Sequence, residues 1–236
     1  MEFGSPQFWL AGVEIVVINI LLSGDNAVVI ALACRNLPER QRKWGVIWGA
    51  AGAVALRIVL TFFAVALLDL PWLKIVGGLL LVWIGIKLIA EDDSGGHGEV
   101  EASQRLMGAV RTVIVADLVM SLDNVIGVAA AAKGSLFLLV FGLLISIPLV
   151  VAGSQLILKA IERYPALVIA GGGLLGYVAG EMAVSDTAVE GWISAHAHWL
   201  DWALPIACIA LVVGAAHLVK LRREQRRIPG VSVSHG

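Results

Sequence analysis

Two stretches of this chain place an aspartate beside an asparagine inside an otherwise apolar run, Asp25-Asn26 and Asp123-Asn124. A serine stands two positions before each aspartate, Ser23 and Ser121. Carboxylates, amide carbonyls and hydroxyls make an all-oxygen set, with no thiolate, thioether or paired imidazole beside it. Such sets suit magnesium, calcium or manganese rather than zinc or copper. Asp25, Asn26, Asp123 and Asn124 are therefore the candidate metal ligands. Glu14, Arg57, Asp117 and Glu181 also interrupt apolar runs and are candidates for a pathway or a counter-charge. A charge at the centre of a bilayer costs about 2.5–3.5 kcal/mol on insertion scales. One such charge is ordinarily a buried ion pair that holds a bundle together. The same Asp-Asn pair twice is better explained by function.

The elements that must carry these residues are membrane helices. Of 236 residues, 59% are hydrophobic and 15% charged, with a mean hydropathy of +0.89. Soluble domains sit near 45–50% apolar and about 25% charged. The excess recurs along the whole chain, which excludes a soluble enzyme, a DNA-binding module and a disordered tail protein. Net charge is −1, so global charge suggests no partner, nucleic acid included. Cys34 and Cys208 suggest neither a disulfide framework nor a zinc site. Apolar runs predict seven transmembrane helices, at 8–33, 44–68, 72–90, 106–132, 135–158, 165–183 and 202–219. The first is read as a retained helix rather than a signal peptide. Residues 1–220 then form a single all-α, polytopic membrane domain, and 221–236 a basic tail.

Orientation follows from Lys and Arg placement. By alternation one side receives Arg35, Arg40, Arg42, Lys43, Lys87, Arg105, Lys159, Arg163 and the basic tail, and the other only Lys74 and Lys133. That predicts an outside N-terminus and a cytoplasmic C-terminus in the cell (inner) membrane. On this frame Asp25, Arg57 and Asp123 lie near mid-depth, Glu14 and Glu181 in the outer third, and Asp117 in the inner third. Arg111 is close enough to the cytoplasmic edge to snorkel. The basic tail reads as an orientation signal and an anionic-lipid contact. The acidic, Gly/Ser-containing stretch 91–104 reads as a solvated linker in which His97 alone makes no metal site.

An internal repeat organises the spans. NILLSGDNAVVIA, residues 19–31, aligns with DLVMSLDNVIGVA, residues 117–129, pairing Ser23, Asp25, Asn26 and Ala31 with Ser121, Asp123, Asn124 and Ala129. Gly77, Gly78, Leu79, Leu80 and Gly85 likewise pair with Gly172, Gly173, Leu174, Leu175 and Gly180. Spans one to three (about 8–90) thus resemble spans four to six (about 106–183), and the seventh (about 202–219) is extra. Three is odd, so the second unit enters from the opposite side. Inverted three-helix repeats of this kind are a transporter architecture with its site near the midplane.

Consecutive residues on a straight helix splay by about 100°. Asp25 and Asn26 can share a cavity only if the chain unwinds, and Ser23-Gly24 is the place for it. The second copy has Leu122 in place of the glycine. Asp117 and Asp123, six apart, do not share a face without an interruption. Arg57 has two readings: a counter-charge for Asp25 or Asp123 that moves on loading, or a structural partner. Gly172, Gly176 and Gly180 form a stripe for close packing. Pro148 would kink the fifth span. His196, His198, Asp186, Glu190 and Asp201 mark the outer loop 184–201 as hydrated.

NILLSGDNAVVIALACRNLP and DLVMSLDNVIGVAA resemble the paired membrane signatures of the TerC family of integral membrane proteins. The resemblance spans nearly all of residues 7–220. It implies export of Mn(II) from the cytoplasm, with Asp25, Asn26, Asp123 and Asn124 at the ion site and Glu14, Asp117 and Glu181 as weaker carry-overs. No cofactor is implied beyond the transported ion, and the driving ion is not fixed. Carboxylates that bind metal and proton in turn would make a metal/proton antiporter.

Two rivals come from other classes. An exporter of a small organic solute such as an amino acid would use Arg57 and Asp25 for the substrate's two charges. An intramembrane aspartyl protease would use Asp25 and Asp123 as its dyad. The latter lacks the G-x-G-D spacing and leaves each asparagine without a role, so the chain reads as a transporter and not an enzyme.

Overall fold

A computed structural model describes residues 24–68, 70–91, 102–131 and 136–227. The described residues are helical, with no strand among them. In chain order the helices are α1 (Gly24–Cys34), α2 (Glu39–Leu68), α3 (Leu73–Ala90), α4 (Ala102–Ala131), α5 (Leu136–Arg163), α6 (Ala166–Val184), α7 (Glu190–His196) and α8 (Leu200–Arg227). Five described stretches are long and apolar enough to cross a membrane: Glu39–Phe63, Leu73–Ala90, Val140–Arg163, Ala166–Val184 and Leu200–Arg223. Most of the expected first span, the linker 92–101 and the tail end 228–236 lie outside the described residues.

Two details depart from the sequence reading, the start of α1 and the loop 184–201, and the course of α4 accords with it. Gly24, Asp25 and Asn26 already lie in α1, so no unwinding separates the aspartate from the asparagine there; Ser23 lies outside the described residues. α4 runs unbroken from Ala102 to Ala131, so Asp117 and Asp123 do not meet on one face. The loop 184–201, read as merely hydrated, contains the short helix α7. Ile193 and Ala197, four apart, are both buried, and that packing holds the turn in helical form.

The interior is apolar and belongs mainly to α1 to α6. Ile30, Leu32, Val46, Leu81, Ile84, Leu88, Val113 and Leu175 are fully buried in it. Trp48, Phe62, Phe63, Trp83 and Ile206 face outward. In a bilayer that outward face meets lipid, which is as apolar as the core, so close packing rather than water exclusion holds the helices together.

α3, α6 and α8 pack against one another, and α6 touches both of the others through glycines. A Cβ on Gly78 would stand 2.7 Å from the carbonyl oxygen of Ala179, and one on Gly85 3.2 Å from that of Gly172. As the α3 partner advances from 78 to 85, the α6 partner retreats from 179 to 172. The two helices therefore run antiparallel at near backbone contact. The stripe expected for close packing is used for it: Gly176 abuts Cys208 and Gly180 abuts Pro205, both on α8.

α3 is pinned at both ends by side chains from elsewhere. At its start Trp72 adopts φ 70°, a left-handed conformation rare for a bulky residue, and supplies no cap of its own. Asp186 supplies it. Its carboxylate accepts from the backbone N–H groups of Trp72 (2.9 Å), Lys74 (3.0 Å) and Ile75 (3.2 Å), and from Ala188 (2.9 Å) in its own loop. Burial pushes this carboxyl up, but the four donors outweigh it and hold it below the usual carboxylate range. At the other end Arg35 and Asn36 donate to the carbonyl of Glu91, and Arg223 of α8 donates to that of Ala90 at 3.1 Å. A carboxylate at the helix N-terminus and guanidinium groups at the C-terminus both complement the helix dipole.

Candidate functional site

A cavity of about 20 Å3 lies between α1, α2, α4 and α5. Its polar lining is Asn26 from α1, Arg57 from α2, Asp117 from α4 and Ser146 from α5. Val29, Ile30, Ala50, Ala53, Val54, Val113 and Val150 complete an apolar wall. A single water needs about 10–15 Å3 in the same measure. The space is thus about the size of a single water.

Arg57, Asp117 and Ser121 form a closed set. Arg57 Nη2 donates to Asp117 Oδ1 at 2.6 Å, and Arg57 Nε donates to Ser121 Oγ at 3.0 Å. Ser121 Oγ donates in turn to Asp117 Oδ2 at 3.0 Å. The three are 3%, 4% and 0% exposed, so this is an ion pair removed from solvent. Its attraction is set against desolvation, and the Ser121 hydroxyl adds a bond to each partner. Ser121 stands four residues after Asp117, one turn along the same face of α4, where it can bridge the pair. Arg57 pairs with Asp117, a carboxylate that the sequence had placed in the inner third and had not named as its partner.

Asn26 is buried and half-buried Asp25 stands next to it on α1. Asp25 Oδ1 accepts from the Asn26 backbone N–H at 2.8 Å, and its carboxylate lies within electrostatic range of both Arg57 and Asp117. So Asn26, Asp117 and Arg57 meet at one cavity, with Asp25 beside it. Asp123 and Asn124 continue α4 past Ser121, but their side chains lie outside the described residues, as does Glu14 entirely. Glu181 is exposed on α6, which contributes nothing to the cavity lining, and it accepts a hydrogen bond from Tyr177. Among the described residues no three His, Cys, Asp or Glu side chains converge as a metal cluster.

Sequence reasoning missed Ser146. It sits in the apolar run of α5 and donates to the Leu143 carbonyl at 2.7 Å, a common habit of serine in membrane helices. Its place in a long apolar span was the available signal. Asp186 was also read as loop hydration rather than as a cap, and nothing local marks its distant partners.

The sequence model of the integral membrane protein TerC family matches residues 4–226. The chain belongs to the TerC family. Among its TerC-like relatives, the Bacillus subtilis membrane protein YjbE is 45% identical over 202 residues, covering 86% of this chain and 91% of the relative. The Bacillus subtilis membrane protein YceF is 29% identical over 228 residues, covering 93% and 87%. The Escherichia coli K12 protein YgdQ, described as an inner membrane protein, is 26% identical over 178 residues, covering 69% and 75%. No solved structure matches the chain. This TerC protein is thus an integral membrane protein, with the cavity and the Arg57–Asp117 pair buried inside its helical bundle.

Proposed function

We propose that this TerC protein exports a divalent metal ion, Mn(II), from the cytoplasm, through a midplane site built by the two Asp-Asn motifs. One observation carries the reading most: a small cavity lined by Asn26, Asp117 and Ser146 together with Arg57, with Asp25 at its side. Oxygen donors of this kind suit a hard divalent cation. The cavity draws on the first two helices of each expected repeat, α1 with α2 and α4 with α5. The antiparallel contact of α3 with α6 supports the inversion of those repeats, since helices in equivalent positions must then run in opposite directions.

In this mechanism Mn(II) approaches past Asp117 and is held by Asp25, Asn26, Asp123 and Asn124. It leaves past Glu14 as the helices around the site rearrange. Protons returning on the carboxylates drive the exchange. The orientation rests on the Lys and Arg asymmetry, with the C-terminus in the cytoplasm. Arg57 sets a constraint. At 4 Å and an effective dielectric of about 20, two unit charges interact by about 4 kcal/mol, so a divalent ion beside a free guanidinium meets about twice that repulsion. Asp117 neutralises the guanidinium in the empty site.

The test is Mn(II) flux into proteoliposomes holding the purified protein, beside Ca(II), Mg(II) and the Asp25→Asn/Asp123→Asn variant. Selective flux lost in the variant supports both the cargo and the site. Absence of metal flux from folded protein transfers the assignment to a small organic solute, with Arg57 as a ligand for its carboxylate.

A further inference from the structure

Arg57 and Asp117 line the same cavity as Asn26 and Ser146. Both Asp117 oxygens are engaged, Oδ1 by the Arg57 guanidinium and Oδ2 by the Ser121 hydroxyl. The guanidinium is itself anchored to Ser121 through Nε. These are the bonds that a cation entering the cavity would replace. A metal ion on Asp117 takes the place of the guanidinium charge, and the Ser121 hydroxyl can turn its oxygen toward the ion.

We propose that Arg57 is a tethered competitor for the transported cation, and that Asp117 is the carboxylate for which they compete. The proposal rests on the divalent-cation reading above. In the empty site Arg57 occupies Asp117, so no buried carboxylate stands unpaired while the protein waits. Loading transfers Asp117 from the guanidinium to the ion. Return of Arg57 to Asp117 expels the ion and resets the site. Arg57 thereby weakens binding and speeds release. It is a positioning residue, acting through Asp117 rather than by touching the cargo.

Such a competitor leaves a kinetic signature that a merely structural ion pair does not. Mn(II) flux is measured against Mn(II) concentration in proteoliposomes, with folding checked by thermal melting. In Arg57→Gln, KM falls about tenfold because the competitor is gone, and the maximal rate falls about tenfold because release slows. Arg57→Lys keeps a cation on the tether and holds KM within about twofold of wild type. A folded Arg57→Gln protein whose KM stays within about twofold while its rate falls overturns the proposal, as does identical behaviour of the Gln and Lys variants.

If Arg57→Gln does not fold, the double variant Arg57→Gln/Asp117→Asn removes both charges together and spares the core an unpaired one. Its KM rises about tenfold or more, since the contested carboxylate is lost; an unchanged KM overturns the proposal. A wild type that moves no Mn(II) overturns the transport reading and this proposal with it. A wild type that moves Mn(II), joined to an unaltered Arg57→Gln, overturns this proposal alone.

Discussion

Asp186 accepts a hydrogen bond from the backbone N–H of Trp72 at 2.9 Å, across 114 positions of sequence. The loop that leaves the third helix of the second expected repeat thus caps the third helix of the first. The same two helices meet at near backbone contact through Gly78, Ala179, Gly85 and Gly172. With α8, which packs on both, they form a group of three helices that contributes nothing to the cavity lining.

The cap makes stability depend on pH in a defined direction. A carboxyl held low in the folded state stabilises the fold above its unfolded pKa, and that contribution is lost as pH falls through the folded value. At pH 7, Asp186→Asn should lower unfolding stability by about 2 kcal/mol, a typical range for charged hydrogen bonds to buried backbone. The gap between wild type and variant should close as the pH is taken below the ordinary carboxylate range. Thermal melting in detergent across that range checks it. An equal gap at every pH would show that the charge of Asp186 plays no part.

Breaking the Arg57–Asp117 pair on one side should be worse than removing it whole. Asp117→Ala leaves a guanidinium buried without its carboxylate and should cost about 3–5 kcal/mol, whereas Arg57→Met/Asp117→Leu should recover most of that loss. Chemical unfolding of the singles and the double gives the coupling directly. Additive losses would mean that the two charges do not stabilise each other in the membrane.

The α6–α8 contact predicts a sharp contrast between glycines. A Cβ on Gly180 would fall 2.3 Å from Pro205 Cα, a backbone atom with no rotamer to change. Gly180→Ala should therefore separate the helices and lose more than about 3 kcal/mol, or fail to yield folded protein. Gly153→Ala meets only the Ala27 Cβ at 3.6 Å. That variant should be neutral or gain up to about 1 kcal/mol from helix propensity. Size-exclusion profiles and melting of the two side by side distinguish packing from a general intolerance of alanine.

Transport should depend on both halves of the repeated motif. Asp25→Asn and Asp123→Asn, made separately, should each abolish Mn(II) flux in vesicles while leaving folded protein in the membrane. An inward proton gradient should accelerate flux in the wild type. Survival of flux in both single variants would remove these carboxylates from the ion site.

Much of the architecture was legible because its causes are local. Lipid offers no hydrogen bonds, so a long apolar run has to be a helix whatever surrounds it. The expected spans from the second onward each coincide with a described helix, with ends shifted by a few residues. The helix ends moved because amphipathic turns continue past the apolar stretch, as α8 does to Arg227, into the basic tail. Asn26 and Asp117 were legible as candidates for the same reason: a polar group inside such a run has to be explained by something.

The sequence by itself determined that the chain is a helical membrane protein, and it marked the Asp-Asn pairs, Arg57 and Asp117 as residues that need partners. Only the tertiary structure decided who the partners are. Arg57 meets Asp117 across 60 positions and Asp186 meets Trp72 across 114, and in each case several carboxylates or donors were equally eligible by spacing. Helical periodicity fixes which residues share a face within one segment, because its hydrogen bonds close within four residues. Which faces are brought together is set by the fit of whole helices, here through glycine contacts between α3, α6 and α8 that no single segment encodes.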